Sequence, residues 1–176
     1  MSVEFVSVWK QVTPELQAEL VAFWSAHKAI ADAGVATARA RQAVCIARDG
    51  EGRIVGVGTA FVRVLQRLRQ PMYYYRQFFA PEYRGQGQAM PFFNRARQIL
   101  QAHNAALPVA ESLGVLLEVE SALLATRYDL AHVAAADSTF IGYSPRGLQL
   151  RVSYFEGARL LSPLAASPRD PMGSLP

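Results

Sequence analysis

The chain has a single cysteine, Cys45, so no internal disulfide can brace it and its stability must come from packing. It also lacks any apolar run approaching the roughly 20 residues that a bilayer span requires. The opening residues, Met1 to Trp9, alternate apolar and polar character, which is not the pattern of a secretory leader. Together these absences lead to the expectation of a soluble, cytoplasmic protein with no membrane partner. No Cys/His cluster has ligand spacing, so no metal is expected. A Gly-Lys-Ser/Thr triplet is missing as well, which excludes a P-loop.

Charge of one sign is not abundant: the formal net charge is +4 and the basic residues are scattered. That suits an anionic ligand such as a phosphorylated cofactor, but it is too diffuse to indicate nucleic acid. What the chain does have is apolar content. With 176 residues, 51% of them hydrophobic, it can bury a core as one domain, which we place at residues 1–160. Residues 161–176 form a proline-rich tail with little to bury, expected to be disordered or draped on a partner.

Hydrophobic periodicity orders the elements. Residues 4–8 read as a strand, after which Thr13 and Pro14 open a helix with Leu16, Leu20, Phe23 and Trp24 on its core stripe. The Ala-rich stretch 29–42 reads as a short helix or a loop. Residues 43–48 and 53–65 are strands joined by Asp49-Gly50-Glu51-Gly52, and a third strand covers 72–80. Pro81 stops it, and Ala89, Phe92, Phe93, Ala96, Ile99 and Leu100 mark a long amphipathic helix. A strand over 113–120, a short helix from the Ser121 cap through Ala131, and a hairpin of 140–143 and 148–155 about Ser144-Pro145-Arg146-Gly147 complete the order. The result is an α/β chain with a mixed sheet and helices on both faces.

The stretch that carries chemistry is Arg84-Gly85-Gln86-Gly87-Gln88-Ala89, where a strand gives way through a two-glycine turn to a helix. The first turn of a helix has unpaired amides and partial positive charge, glycines let the backbone approach a diphosphate, and Arg84 adds a permanent forked cation. A tight cap without a ligand is the plainer alternative. Gly56-Val57-Gly58, the other glycine pair, lies mid-strand and lacks the third glycine of a dinucleotide site.

This segment resembles the acyl-CoA-binding motif of the GNAT superfamily: Arg or Gln, two residues, Gly, one residue, then Gly or Ala. Arg84, Gly87 and Ala89 fill the three positions, Pro81 precedes them at the usual distance, and the element order is similar from about residue 3 to 155. The resemblance implies a mostly antiparallel sheet of about seven strands and acetyl-CoA as cosubstrate. It further implies that backbone groups of Phe78 and Phe79 pair with the pantetheine arm, while amides of Arg84, Gly85, Gln86, Gly87, Gln88 and Ala89 hold the pyrophosphate.

The same resemblance directs attention to two further places. Glu118 and Glu120 share one face of their strand, which in family members borders the cleft beside the thioester, so either is a candidate base or an attractor for a cationic acceptor. Solvated carboxylates paired with arginines are the alternative. Tyr128 follows Ser121 by seven residues, the spacing at which the family carries a Tyr that protonates the departing CoA sulfur. Ser121 replaces the usual Asn that contacts the pantetheine arm, and a packed helical Tyr is the plainer alternative for Tyr128.

The expected activity is N-acetyl transfer from acetyl-CoA to a primary amine on a small molecule or peptide. A non-catalytic acyl-CoA-binding module is the competing reading. Cys45, in an apolar strand, reads as a core residue, and His27, His103 and His132 show no ligand spacing. Arg63, Arg67 and Arg69 read as a solvated hairpin edge or an attraction for an acidic partner. Homodimerisation through the last hairpin is compatible with the pattern. The acceptor is not encoded in any motif, because loops choose it.

Overall fold

The computed structural model describes residues 2–168. Eight strands, β1 (Glu4–Ser7), β2 (Ala43–Arg48), β3 (Ile54–Val64), β4 (Pro71–Phe79), β5 (Gly114–Val119), β6 (His132–Val133), β7 (Ser138–Tyr143) and β8 (Gln149–Tyr154), form one sheet. Their order is β1-β2-β3-β4-β5-β8-β7-β6. Four α-helices accompany them: α1 (Pro14–Ala26), α2 (Ala33–Ala40), α3 (Ala89–Ala106) and α4 (Ala122–Arg127). β4 and β5 run parallel, pairing Tyr73 to Tyr75 with Val115 to Leu117, whereas β1–β2, β2–β3, β5–β8, β7–β8 and β6–β7 are antiparallel. The mixed, mostly antiparallel sheet expected from the sequence is present, with one strand more than the seven. The extra strand is β6, two residues long and too short to leave a periodic signal.

Two compact units make up the chain, Met1–Ala60 with Gln77–Leu100 and Phe61–Arg76 with Gln101–Ser167. In the first, Thr13 caps α1 by accepting from the Leu16 amide, and Leu20, Phe23 and Trp24 are its buried face. Asp32 caps α2 through the Val35 amide, so the Ala-rich stretch left open between helix and loop is a helix. Phe92 of α3 is fully buried, with its ring 5.1 Å from Phe5 and 5.0 Å from Phe79. Gly56 makes room for this packing: a Cβ there would lie 2.5 Å from the Phe79 ring. Close packing thus explains Gly56, the first of the two mid-strand glycines.

In the second unit, Met72, Tyr74, Leu113, Leu116, Leu150 and Val152 form a core onto which Phe61, Leu65, Leu68 and Ile141 pack. At one end Asn104, buried on α3, accepts from the Glu111 and Ser112 amides and donates to the Ser112 carbonyl, fastening the entry to β5. The tail, expected to be disordered or draped on a partner, is tied to its own chain as far as Ser167. Gln70 exchanges two bonds with the Leu161 backbone, the Leu164 amide donates to Arg69, and the Ser167 amide donates to Val64. Its proline spacing hid these bonds because they are made by backbone groups, which sequence pattern does not mark. Residues 169–176 of the expected tail lie outside the described residues.

Candidate active site

Two glycines shape the predicted phosphate turn. After β4, Pro81–Tyr83 makes one 3-10 turn, and the Arg84 amide donates to the Pro81 carbonyl. Gly85 and Gly87 then take φ of +75° and +78°, the left-handed region where a side chain is strained, and the chain enters α3 at Ala89. Nothing lies within 4 Å of where a Cβ on either glycine would sit, so the concave side is open. Among the described residues, no backbone-to-backbone bond uses the amides of Gly85 to Ala89. Amides without a backbone acceptor at a helix start are donors that an anion can engage.

Arg84 is held in place beside this turn. Its Nε donates to the Phe79 carbonyl at 2.9 Å, and its guanidinium lies 4.9 Å from the Phe78 ring, which itself packs 5.7 Å from Phe23. One lone pair of the Phe79 carbonyl is therefore already taken within the chain. Gln86 reaches back to the Glu82 carbonyl and Gln77 to that of Ala89, which stiffens both sides of the turn.

In the second unit the carboxylates on β5 are organised by a residue that sequence reasoning did not single out. Arg146, in the β7–β8 turn, lies 3.1 Å from Glu118 and 2.8 Å from Glu120. The Tyr74 hydroxyl donates to Glu118 at 2.5 Å. Burial pushes the Glu118 carboxyl up, but hydrogen bonds from Ser144, Tyr74 and Arg146, with the Arg146 charge, outweigh it and hold the group below its ordinary range. The Tyr74 hydroxyl is raised, by burial first and then by Glu118. The register pairing Glu118 with Leu150 and Val119 with Gln149 brings the hairpin turn beside the carboxylates, a juxtaposition invisible in linear spacing.

Ser121 caps α4, its hydroxyl accepting from the Leu124 amide. The helix expected to run to Ala131 stops at Arg127, with Tyr128 as its C-cap at φ −116°, ψ 58°. The stop comes from β8: Arg151, only 3% exposed, donates to the carbonyls of Tyr128 and Leu130, both at 2.7 Å. A buried guanidinium thus takes over carbonyls that further helix would have satisfied. Tyr128 is half-buried, and its amide still bonds the Leu124 carbonyl.

Phe78, Phe79 and the Arg84 to Ala89 turn are therefore gathered in the first unit. Glu118 and Glu120 are gathered with Arg146 and Tyr74 in the second, where α4 also carries Ser121 and Tyr128. Cys45 is fully buried, and burial, opposed in part by the Arg95 charge, pushes its thiol up to about 12, a core residue rather than a nucleophile. Among the described residues no group of three or more His, Cys, Asp or Glu is placed to hold a metal, and no helix is long and apolar enough to cross a membrane.

The fold itself is that of the GNAT-family acetyltransferases. Solved structures similar to this chain include the GNAT-family acetyltransferase from Streptococcus pneumoniae, at TM-score 0.54 and 13% identity over 88% of this chain and 99% of that one. SsHAT gives 0.55 and 14% over 88% and 98%, and AtaT, solved with acetyl-methionyl-tRNAfMet, gives 0.52 and 12% over 87% and 95%. At these identities the likeness is one of fold. No protein-family model and no curated protein matches the chain.

Proposed function

We propose that the chain is an N-acetyltransferase that moves the acetyl group of acetyl-CoA onto a primary amine. The observation that carries this reading is the open two-glycine turn, with Gly85 and Gly87 at positive φ and Arg84 braced beside it. Its amides, Arg84 to Ala89, hold the pyrophosphate. Backbone groups of Phe78 and Phe79 receive the pantetheine arm.

The amine nitrogen attacks the thioester carbonyl, the carbon–sulfur bond of the tetrahedral intermediate breaks, and the thiolate takes a proton from the Tyr128 hydroxyl. The proton that the acylated nitrogen then sheds returns through water to the Tyr128 oxygen. The products are the N-acetyl amide and free CoA. An acceptor ammonium of pKa about 10.4 must first lose a proton, roughly 4 to 5 kcal/mol uphill at pH 7. Glu118 and Glu120 assist that loss through water. Because Arg146 now neutralises both and depresses Glu118, they serve as acceptors only when Arg146 swings away.

The same Arg146 contact favours one competing reading, a CoA-binding module without acceptor chemistry, since a cation of the chain itself fills the carboxylate pair. Calorimetric titration with acetyl-CoA, followed by free-thiol release over an amine panel, tests both. Saturable binding abolished by Arg84→Glu supports the donor site; no binding, or binding untouched by Arg84→Glu, overturns it. Tight binding with no thiol released by any amine favours the module.

A further inference from the structure

Arg63, Arg67 and Arg69, which the sequence offers as a solvated edge or an attraction for an acidic partner, have different fates. Arg67 donates to the Ile141 carbonyl and Arg69 to that of Leu164, so both are structural. Arg63 instead lies 5.2 Å from the Tyr74 ring, and Arg76 lies 4.7 Å from that ring and 6.0 Å from Phe61. Alternation along the strands puts Phe61 and Arg63 on one face of β3, and Tyr74 and Arg76 on one face of β4.

Among the described residues neither Arg63 nor Arg76 forms an ion pair, while Glu118 and Glu120 are both paired with Arg146. Stacking on an aromatic face orients a guanidinium and leaves in-plane donors for a further acceptor, although Arg76 also hydrogen-bonds the Tyr74 hydroxyl. The Nε of Arg76 is buried and has no acceptor, an uncompensated loss of hydration. Two cations against one ring also repel each other. An oxyanion bound by both guanidiniums would offset their repulsion and offer Arg76 an acceptor.

We propose that Arg63 and Arg76 form an oxyanion subsite for the acceptor, so that the amine acetylated by this protein also carries a carboxylate or a phosphate. The inference rests on the acetyltransferase reading for its occupant, and its test reads the two apart. With acetyl-CoA binding measured first, thiol release is compared for β-alanine, O-phosphoethanolamine and their uncharged counterparts β-alaninamide and ethanolamine. At least one anionic amine is expected to exceed its neutral counterpart tenfold in kcat/KM, and which one identifies the oxyanion. Arg63→Gln and Arg76→Gln are expected to erase that preference while leaving acetyl-CoA affinity unchanged. Equal rates for charged and neutral partners, or a loss confined to acetyl-CoA affinity, overturn the proposal.

A second arm needs no turnover. Inorganic phosphate and acetate are each titrated into the protein saturated with CoA, which fills the Arg84 turn, or into Arg84→Glu protein where CoA does not bind. Saturable binding weakened tenfold by either Gln substitution, and largely restored by Arg76→Lys, supports the subsite. No saturable binding, or binding indifferent to both substitutions in variants whose thermal melts match the parent, overturns it, whatever becomes of the acetyl-CoA reading.

Discussion

Arg146 and Glu118 are joined at 3.1 Å across a hairpin turn and a strand, in a pair where the carboxylate side chain is 10% exposed and the guanidinium 34%. With the hydrogen bonds from Ser144 and Tyr74, this contact holds the Glu118 carboxyl below its ordinary range.

Glu118 is held below its ordinary value of 4.5, so its contribution to stability is complete above that pH and is lost as pH falls through the lower value it has in the folded state. Arg146→Gln removes the charge that opposes burial, and the carboxyl then rises. The variant is expected to be less stable than the parent at pH 7, by about 1 kcal/mol for a pair that remains partly solvated. The gap should narrow towards pH 3. Urea titrations at the two pH values measure it, and a gap that is constant or widens in acid contradicts the coupling.

Arg151 is expected to matter for both stability and chemistry. Arg151→Met removes two charge-assisted bonds at the end of α4, a loss of about 2 to 3 kcal/mol. If Tyr128 is the proton donor, Tyr128→Phe lowers kcat by roughly 100-fold with acetyl-CoA affinity unchanged. Arg151→Lys, which keeps the charge but not the fork, should fall between parent and Tyr128→Phe in kcat. Unchanged kcat in Tyr128→Phe removes the residue from the mechanism.

At the two-glycine turn, stability and affinity are expected to part. A Cβ on Gly87 meets no atom of the chain, so Gly87→Ala carries only the strain of φ +78°, about 1 to 2 kcal/mol. A diphosphate drawn against the same backbone leaves no room for that methyl group, and acetyl-CoA affinity should fall by at least roughly tenfold, the equivalent of about 1.4 kcal/mol. Calorimetry alongside a denaturant melt separates the effects; a stability loss without an affinity loss argues against diphosphate binding at this turn.

Cys45 provides a probe of global opening. Fully buried and with its thiol pushed up to about 12, it should resist aromatic disulfide reagents in the native state. Labelling should proceed at the rate of unfolding and accelerate with urea in step with it. Rapid labelling in buffer would mean that β2 opens locally.

Local chemistry made much of this protein legible in its sequence. Thr13 before Pro14, the Asp49 to Gly52 hairpin and the glycines after Pro81 each act within a few residues, and each forms the feature it encodes. The apolar stripe Leu20, Phe23 and Trp24 is likewise buried as its period requires.

By itself, then, the sequence determined most of the element order, the hairpin turns, the buried faces and the two-glycine turn before α3, because these follow from backbone preferences and hydrophobic period over short spans. Only tertiary structure decided that Arg146 answers Glu118 and Glu120, that Arg151 ends α4 at Tyr128, that Tyr74 gathers Arg63 and Arg76, and that the tail is strapped as far as Ser167. Each of those contacts joins residues brought close by strand register or by a chain crossing. A charged side chain carries no mark in the sequence of which distant partner the fold will bring to it.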